Sequence, residues 1–270
     1  MGEVHEMDAI DLGIQSFLFF LLVFARLVGV FVQAPLFGRP RGVPMAAQVG
    51  YSLAISLVLF HVLPIPAHMP DTPLTFAFTI AGQVLIGLVL GFAAYIVAAG
   101  AQFAGELVDI QLGLSVAASF DPSSGGTVNL MRQFEFRLAL LVWIFIHGDY
   151  FFFRAVARSY ELIPADTFSL PPAAIMKLVD MSNGIFVMAM ELSAPVLVAI
   201  FITQLGLGLL NRAAQQFNVF MISFPVNILI GLGVLILSLS PMLYKALPNL
   251  YYHWNQDYIN LILALKKGAH

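Results

Sequence analysis

The sequence contains no cysteine. That excludes disulfides, thiolate metal sites and cysteine nucleophiles. It is also poor in charge: Asp, Glu, Lys and Arg make up 10% of its 270 residues, where soluble domains carry about 25%. The net charge is −3, and no basic patch marks a nucleic-acid partner. The N-terminus holds Glu3, Glu6, Asp8 and Asp11 but no Lys or Arg. A cleavable signal peptide needs a positive leading region, so the first apolar run is expected to stay in the protein. Catalytic motifs are missing too: there is no HExxH, GxSxG or Walker loop, and no GxGxxG after a strand. We therefore expect no enzyme, no cofactor and no metal site. His61 and His68 lie in a proline-rich loop without the carboxylates or spacing of a metal centre.

What is present in excess is apolar surface. Hydrophobic residues reach 60% and the mean hydropathy is +0.91. A 300-residue globule still leaves about a quarter of its chain surface in water, so a soluble monomer cannot hide this much. An integral membrane protein remains, or a subunit buried in a larger apolar assembly. Residues 12–25, 27–38, 42–70, 72–105, 138–148, 192–211 and 213–244 are free of Asp, Glu, Lys and Arg. A membrane-spanning helix needs about 20 mostly apolar residues. We expect six, near Ile14–Ala34, Met45–Leu63, Leu74–Ala99, Phe136–Phe153, Ile185–Leu210 and Val219–Tyr244. An apolar medium demands that backbone groups be satisfied within each segment, so the expected fold is all-α. Proline and glycine clusters at 35–44, 64–73, 121–126 and 164–172 punctuate this one unit.

Loop charges do not orient these spans. With the N-terminus outside, Arg39, Arg41, Arg132, Arg137 and Arg212 lie inside, five in all, against Arg154, Arg158, Lys177, Lys245, Lys266 and Lys267 outside, six in all. The positive-inside rule cannot choose from that count. Either the boundaries are shifted by a few residues, or partner subunits bury these helices so that they do not cross lipid as separate spans.

Polar groups inside apolar runs are the candidates for function. Arg26 sits mid-segment and Glu191 near the start of the fifth. A charge at the centre of a lipid-facing helix costs at least about 2.5–3.5 kcal/mol, so each faces protein or water. Both a pore pathway and a structural contact at a helix crossing fit. Gly87 and Gly91 form a small-xxx-small pattern that permits close helix approach. Pro195 and Pro225 interrupt the last two apolar segments. The stretch from Glu106 to Arg137 is the most unusual. Its residues 110–122 are apolar, small and glycine-broken, too short to span and too greasy for an exposed loop. Such a segment fits a dry constriction that gates a channel, or a re-entrant packing segment. At the C-terminus, Tyr251, Tyr252, Trp254 and Tyr258 precede Ile259–Leu265 and Lys266-Lys267. That pattern fits an interfacial helix with an aromatic belt, or a last helix packed on neighbouring subunits.

The run Asn211-Arg212-Ala213-Ala214-Gln215-Gln216-Phe217-Asn218-Val219-Phe220, followed by Phe224-Pro225, resembles the FliR family of flagellar type III export-gate components, which is related to the SctT family of injectisomes. Gln215 stands where the family usually has proline. Arg26 ahead of Ala34-Pro35-Leu36-Phe37-Gly38 matches as well. So do Gly105 to Gly113 with Asp121-Pro122, and Ser159-Tyr160 leading to Ile163-Pro164.

The resemblance implies a non-enzymatic subunit in the bacterial inner membrane, within the flagellar basal body. It would assemble with FliP and FliQ homologues into the pore that unfolded export substrates enter, and contact FlhB and FlhA as well as membrane lipid. Residues 1–180 would be FliP-like and 181–270 FliQ-like, and the core would be raised out of the bilayer plane. Ile110, Leu112, Gly113, Leu114, Ser115, Phe120, Asp121 and Pro122 would form the plug of the closed pore. Arg212, Gln216, Asn218, Phe220 and Pro225 would lie at the inter-helix turn where subunits meet, and Arg26 and Glu191 would be buried contacts in the complex. A secondary transporter is the alternative from the residues alone; its inverted repeats are not evident.

Overall fold

The computed structural model describes residues 2–36, 43–64, 70, 72–114, 129–166, 170–213 and 219–266, with side chains from residue 13 onward and not at 219 and 220. These residues form α1 (Gly2–Gln33), α2 (Met45–Val62), α3 (Pro73–Leu112), α4 (Leu130–Phe145), α5 (Gly148–Leu162), α6 (Pro172–Ala213), α7 (Val219–Pro241), a π-turn (Met242–Ala246) and α8 (Leu247–Lys266). None of the described residues lies in a strand, and the all-α, multi-helix class stands.

Helix lengths depart from the expected spans. α3 runs for 40 residues and α6 for 42, each about 60 Å long at 1.5 Å per residue. A bilayer is about 40–45 Å thick with its headgroups, so these helices exceed it unless strongly tilted. The expected fourth span, Phe136–Phe153, is not continuous. The chain breaks at Ile146-His147, where His147 takes φ 56°, and Gly148 lies against the Trp143 ring, whose atoms a Cβ there would overlap. Among the described residues, five helical stretches are long and apolar enough to cross a membrane, or six if α4 and α5 count as one broken span.

Two compact units share the long helices. The first comprises residues 1–95, 149–181 and 255–270. Its centre is the crossing of α1 and α3. There a Cβ on Gly29 would overlap the carbonyl of Val84, and one on Gly87 the carbonyl of Arg26, so only glycine allows the two backbones to meet. Leu22, Val30, Ile86, Leu90, Phe152 and Val156 close around it, all buried. α2 packs along α1 with a reversed polarity. It buries Gln48, Ser52 and Ser56, one stripe at every fourth residue, while Val49, Leu53, Leu57 and Val62 are exposed.

The second unit comprises residues 96–148 and 182–254. Val108 and Leu112 of α3, Val196 and Ile200 of α6 and Leu235 of α7 form its core. Gly231 makes room for Leu112, since a Cβ there would overlap the leucine side chain. Most of α6 remains uncovered: Phe186, Val198, Phe201, Ile202, Leu205 and Leu209 are all exposed.

The C-terminal aromatics depart from a membrane belt. Tyr251, Trp254 and Tyr258 are buried within the chain and Tyr252 alone is exposed. Their spacing of three and four residues gives α8 an inward stripe, which continues through Leu261 and Leu265.

Candidate functional site

The four resembling motifs meet pairwise in two places. The first is around Arg26. Its side chain has no exposed surface. Nε donates to Gln83 Oε1 at 2.7 Å, Nη1 to Ser159 Oγ at 3.2 Å and Nη2 to the Ile163 carbonyl at 2.9 Å. The guanidinium also lies 4.2 Å from the centre of the Tyr160 ring, where the π-face attracts a cation. Its partners hold one another. Gln83 Nε2 donates to the Ala165 carbonyl at 2.9 Å, and the Tyr160 hydroxyl to the Val23 carbonyl at 2.9 Å. No carboxylate pairs with this charge among the described residues. Arg26 is thus a structural contact at a helix crossing, tying α1 to α3, α5 and the turn after α5. Ser159-Tyr160 and Ile163, from a motif more than a hundred residues away, are its binding site.

The second place is the C-terminal end of α3. Asp109 accepts from the backbone N–H of Met131 at 3.0 Å and of Arg132 at 3.1 Å. These are orphan donors at the start of α4, and a carboxylate there satisfies them and favours the helix dipole. Gly105 lets the same two residues sit against α3, because a Cβ would overlap the Met131 carbonyl. Arg132 reaches Gln102 at 3.3 Å and Glu106 at 4.0 Å; both charges are half exposed and contribute little. Gly113 then ends α3 at φ 76°, a conformation that favours glycine. A Cβ there would stand 2.6 Å from the Phe224 ring. So the central segment and the Phe224-Pro225 motif touch at its root.

The expected plug residues divide accordingly. Ile110 and Leu112 belong to the last turn of α3, Ile110 exposed and Leu112 fixed in the core. Gly113 and Leu114 follow, with Leu114 packed against that core. Ser115, Phe120, Asp121 and Pro122 lie outside the described residues. Of the turn set, Arg212 is exposed in the last turn of α6, Phe220 and Pro225 are in α7, and Gln216 and Asn218 lie outside the described residues. Glu191 is exposed on α6. It lines a cavity of about 440 Å³ with Lys245, Asn249 and His253, beside the π-turn.

Sequence reasoning missed two groups here. Gln83 is one of two amide side chains, with Gln102, in a charge-free run of 34 residues (72–105), and that rarity is a readable signal. Glu135 is fully buried, and among the described residues neither carboxyl oxygen has a hydrogen-bond partner. Nothing in the charged-looking stretch Met131–Arg137 distinguishes it from a surface residue.

With this geometry in place, comparison with known proteins is decisive. Residues 17–250 match the model of bacterial export proteins, family 1. The chain belongs to that family. It is 31% identical to the flagellar biosynthetic protein FliR of Bacillus subtilis (strain 168), over 82% of this chain and 86% of that one. Identity to the flagellar biosynthetic protein FliR of Escherichia coli (strain K12) is 28%, over 81% and 82%. The Yop proteins translocation protein T of Yersinia pestis is 26% identical, over 87% and 91%. The two polar sites and residues 211–225 all fall inside the matched family span.

Proposed function

We propose that the chain is a structural and gating subunit of the flagellar type III protein export gate in the bacterial inner membrane. It forms, with FliP and FliQ homologues, the pore for unfolded export substrates, and meets FlhB and FlhA at that gate. Residues 1–180 act as the FliP-like part and 181–270 as the FliQ-like part. Export-family membership and the FliR relatives support the general role. The uncovered apolar length of α6 supports burial against sister subunits, which would also cover Glu191.

One observation carries the gating role: the root of the central segment is clamped. Asp109, before the segment, holds Met131 and Arg132, after it, and Leu112 and Gly113 are fixed by the core and by Phe224. What lies between can therefore occupy or leave a pore without disturbing the helices. Ile110 and Leu112 to Leu114 are the base of the plug, with Ser115, Phe120, Asp121 and Pro122 its body. Arg212, Gln216, Asn218, Phe220 and Pro225 serve subunit contact at the turn.

Deleting residues 115–120 is expected to leave assembly intact and to raise ion leakage across membranes holding the complex. A deletion variant that assembles and stays as ion-tight as the parent overturns the plug. The match to the Yop translocation protein favours a second reading, an injectisome gate. Complementation separates the two, since restored motility in a strain lacking its FliR homologue supports the flagellar role.

A further inference from the structure

A groove in the first unit, between α5 and α8, is unaccounted for by the gate. It has a volume of about 290 Å³. Phe151, Ala155 and Leu162 of α5 form one wall, and Ile259, Ile262 and Leu263 of α8 the other. The Phe151 and Tyr258 rings, 6.3 Å apart at 64°, join the helices beside it. The polar side chains lining it are Arg154 and Arg158, which lie four residues apart and so share one face of α5. Both are exposed. Neither makes an ion pair or hydrogen bond among the described residues. The nearby cation Lys177 differs, because it is held by Asp257 at 2.6 Å.

Two guanidinium groups over an apolar trough have a definite chemical complement. A phosphodiester accepts the parallel N–H bonds that arginine offers. The trough beneath takes a hydrocarbon chain, which an isolated inorganic anion does not possess. Basic pockets between helices of membrane proteins bind anionic headgroups on this principle. We infer that the α5–α8 groove is a binding site for one anionic phospholipid, its phosphate on Arg154 and Arg158 and an acyl chain along Ile259, Ile262 and Leu263.

The test is native mass spectrometry of the full-length protein, extracted from its membrane, delipidated and titrated with phosphatidylglycerol or phosphatidylcholine of the same chains. Phosphatidylglycerol is expected to bind about tenfold more tightly, the scale of one charge-assisted contact. Phosphatidylcholine offers the same phosphodiester but sets its choline cation against the arginines, so the double variant Arg154→Gln/Arg158→Gln should lose the preference and bind the two lipids equally weakly. Both side chains are exposed and unbonded, so folding should not change, which an unaltered thermal melt checks. Leu263→Ser, at a half-exposed wall position, should weaken both lipids together. Equal affinity of the parent for the two lipids, or an undiminished preference in the double variant, overturns the site. Displacement of phosphatidylglycerol by inorganic phosphate also overturns it, as a simple anion site. So does loss of a protein partner, rather than of lipid, from the double variant.

Discussion

Arg26 and Glu135 are both ionisable residues with no exposed surface, and the chain treats them in opposite ways. Around Arg26 each side-chain nitrogen donates to an acceptor, and the acceptors are themselves anchored. Around Glu135 no described donor reaches either oxygen, while Asp109, whose charge also acts on Glu135, is occupied with the start of α4. A buried charge with complete hydrogen bonding organises its surroundings, whereas a buried carboxyl without it either takes up a proton or costs several kcal/mol as the carboxylate. The first unit therefore has a polar hub at its helix crossing. The second keeps a polar liability beside the clamp of its central segment.

Substitutions can break or sharpen this contrast. The largest effect is expected for Arg26→Met. It strands Gln83 Oε1, Ser159 Oγ and the Ile163 carbonyl, and removing one partner from such a buried network costs about 3–5 kcal/mol. Thermal unfolding in detergent measures it, and a loss below about 1 kcal/mol would make the hub ornamental. Glu135→Met is expected to act with opposite sign. Replacing an unpaired buried carboxylate by an apolar side chain of similar size should stabilise by about 1–3 kcal/mol. A lowered melting temperature would show that Glu135 makes a favourable contact within the folded chain and is no liability. Smallest is Asp109→Ala, which removes a helix cap worth about 1 kcal/mol. Its sharper readout is faster amide exchange in the first turn of α4, with the α1–α3 crossing unchanged.

Much of this fold was legible in the residues. Apolar runs located the helices, and Gly87 announced the close approach that the structure places at α1. The lengths of α3 and α6 were not legible, because both helices continue through charged residues such as Glu106, Asp109, Lys177 and Asp180. A search for charge-free runs stops at those residues, although a helix outside the bilayer core tolerates them. The break at His147 falls on His147-Gly148-Asp149, a triplet that reads as a helix end in the sequence, although the expected span ran through it; what the residues did not show is the Trp143 ring against Gly148, a tertiary feature. At the polar sites, sequence showed that Arg26 must be accommodated, but not by what. Gln83 and Ser159 lie 57 and 133 residues away from it, a distance that only folding closes. The aromatic tail misled because the stripe that suits a membrane interface also suits an internal seam.

The clamp from Asp109 to Met131 and Arg132 has a consequence for how this region tolerates change. Since the two ends are joined by residues outside the intervening stretch, the helices do not register its length. Chain-closure entropy rises only slowly, by about 0.6 kcal/mol for each doubling of a loop. Insertions between residues 115 and 128 should thus spare the scaffold, which makes that stretch the natural place to graft a reporter.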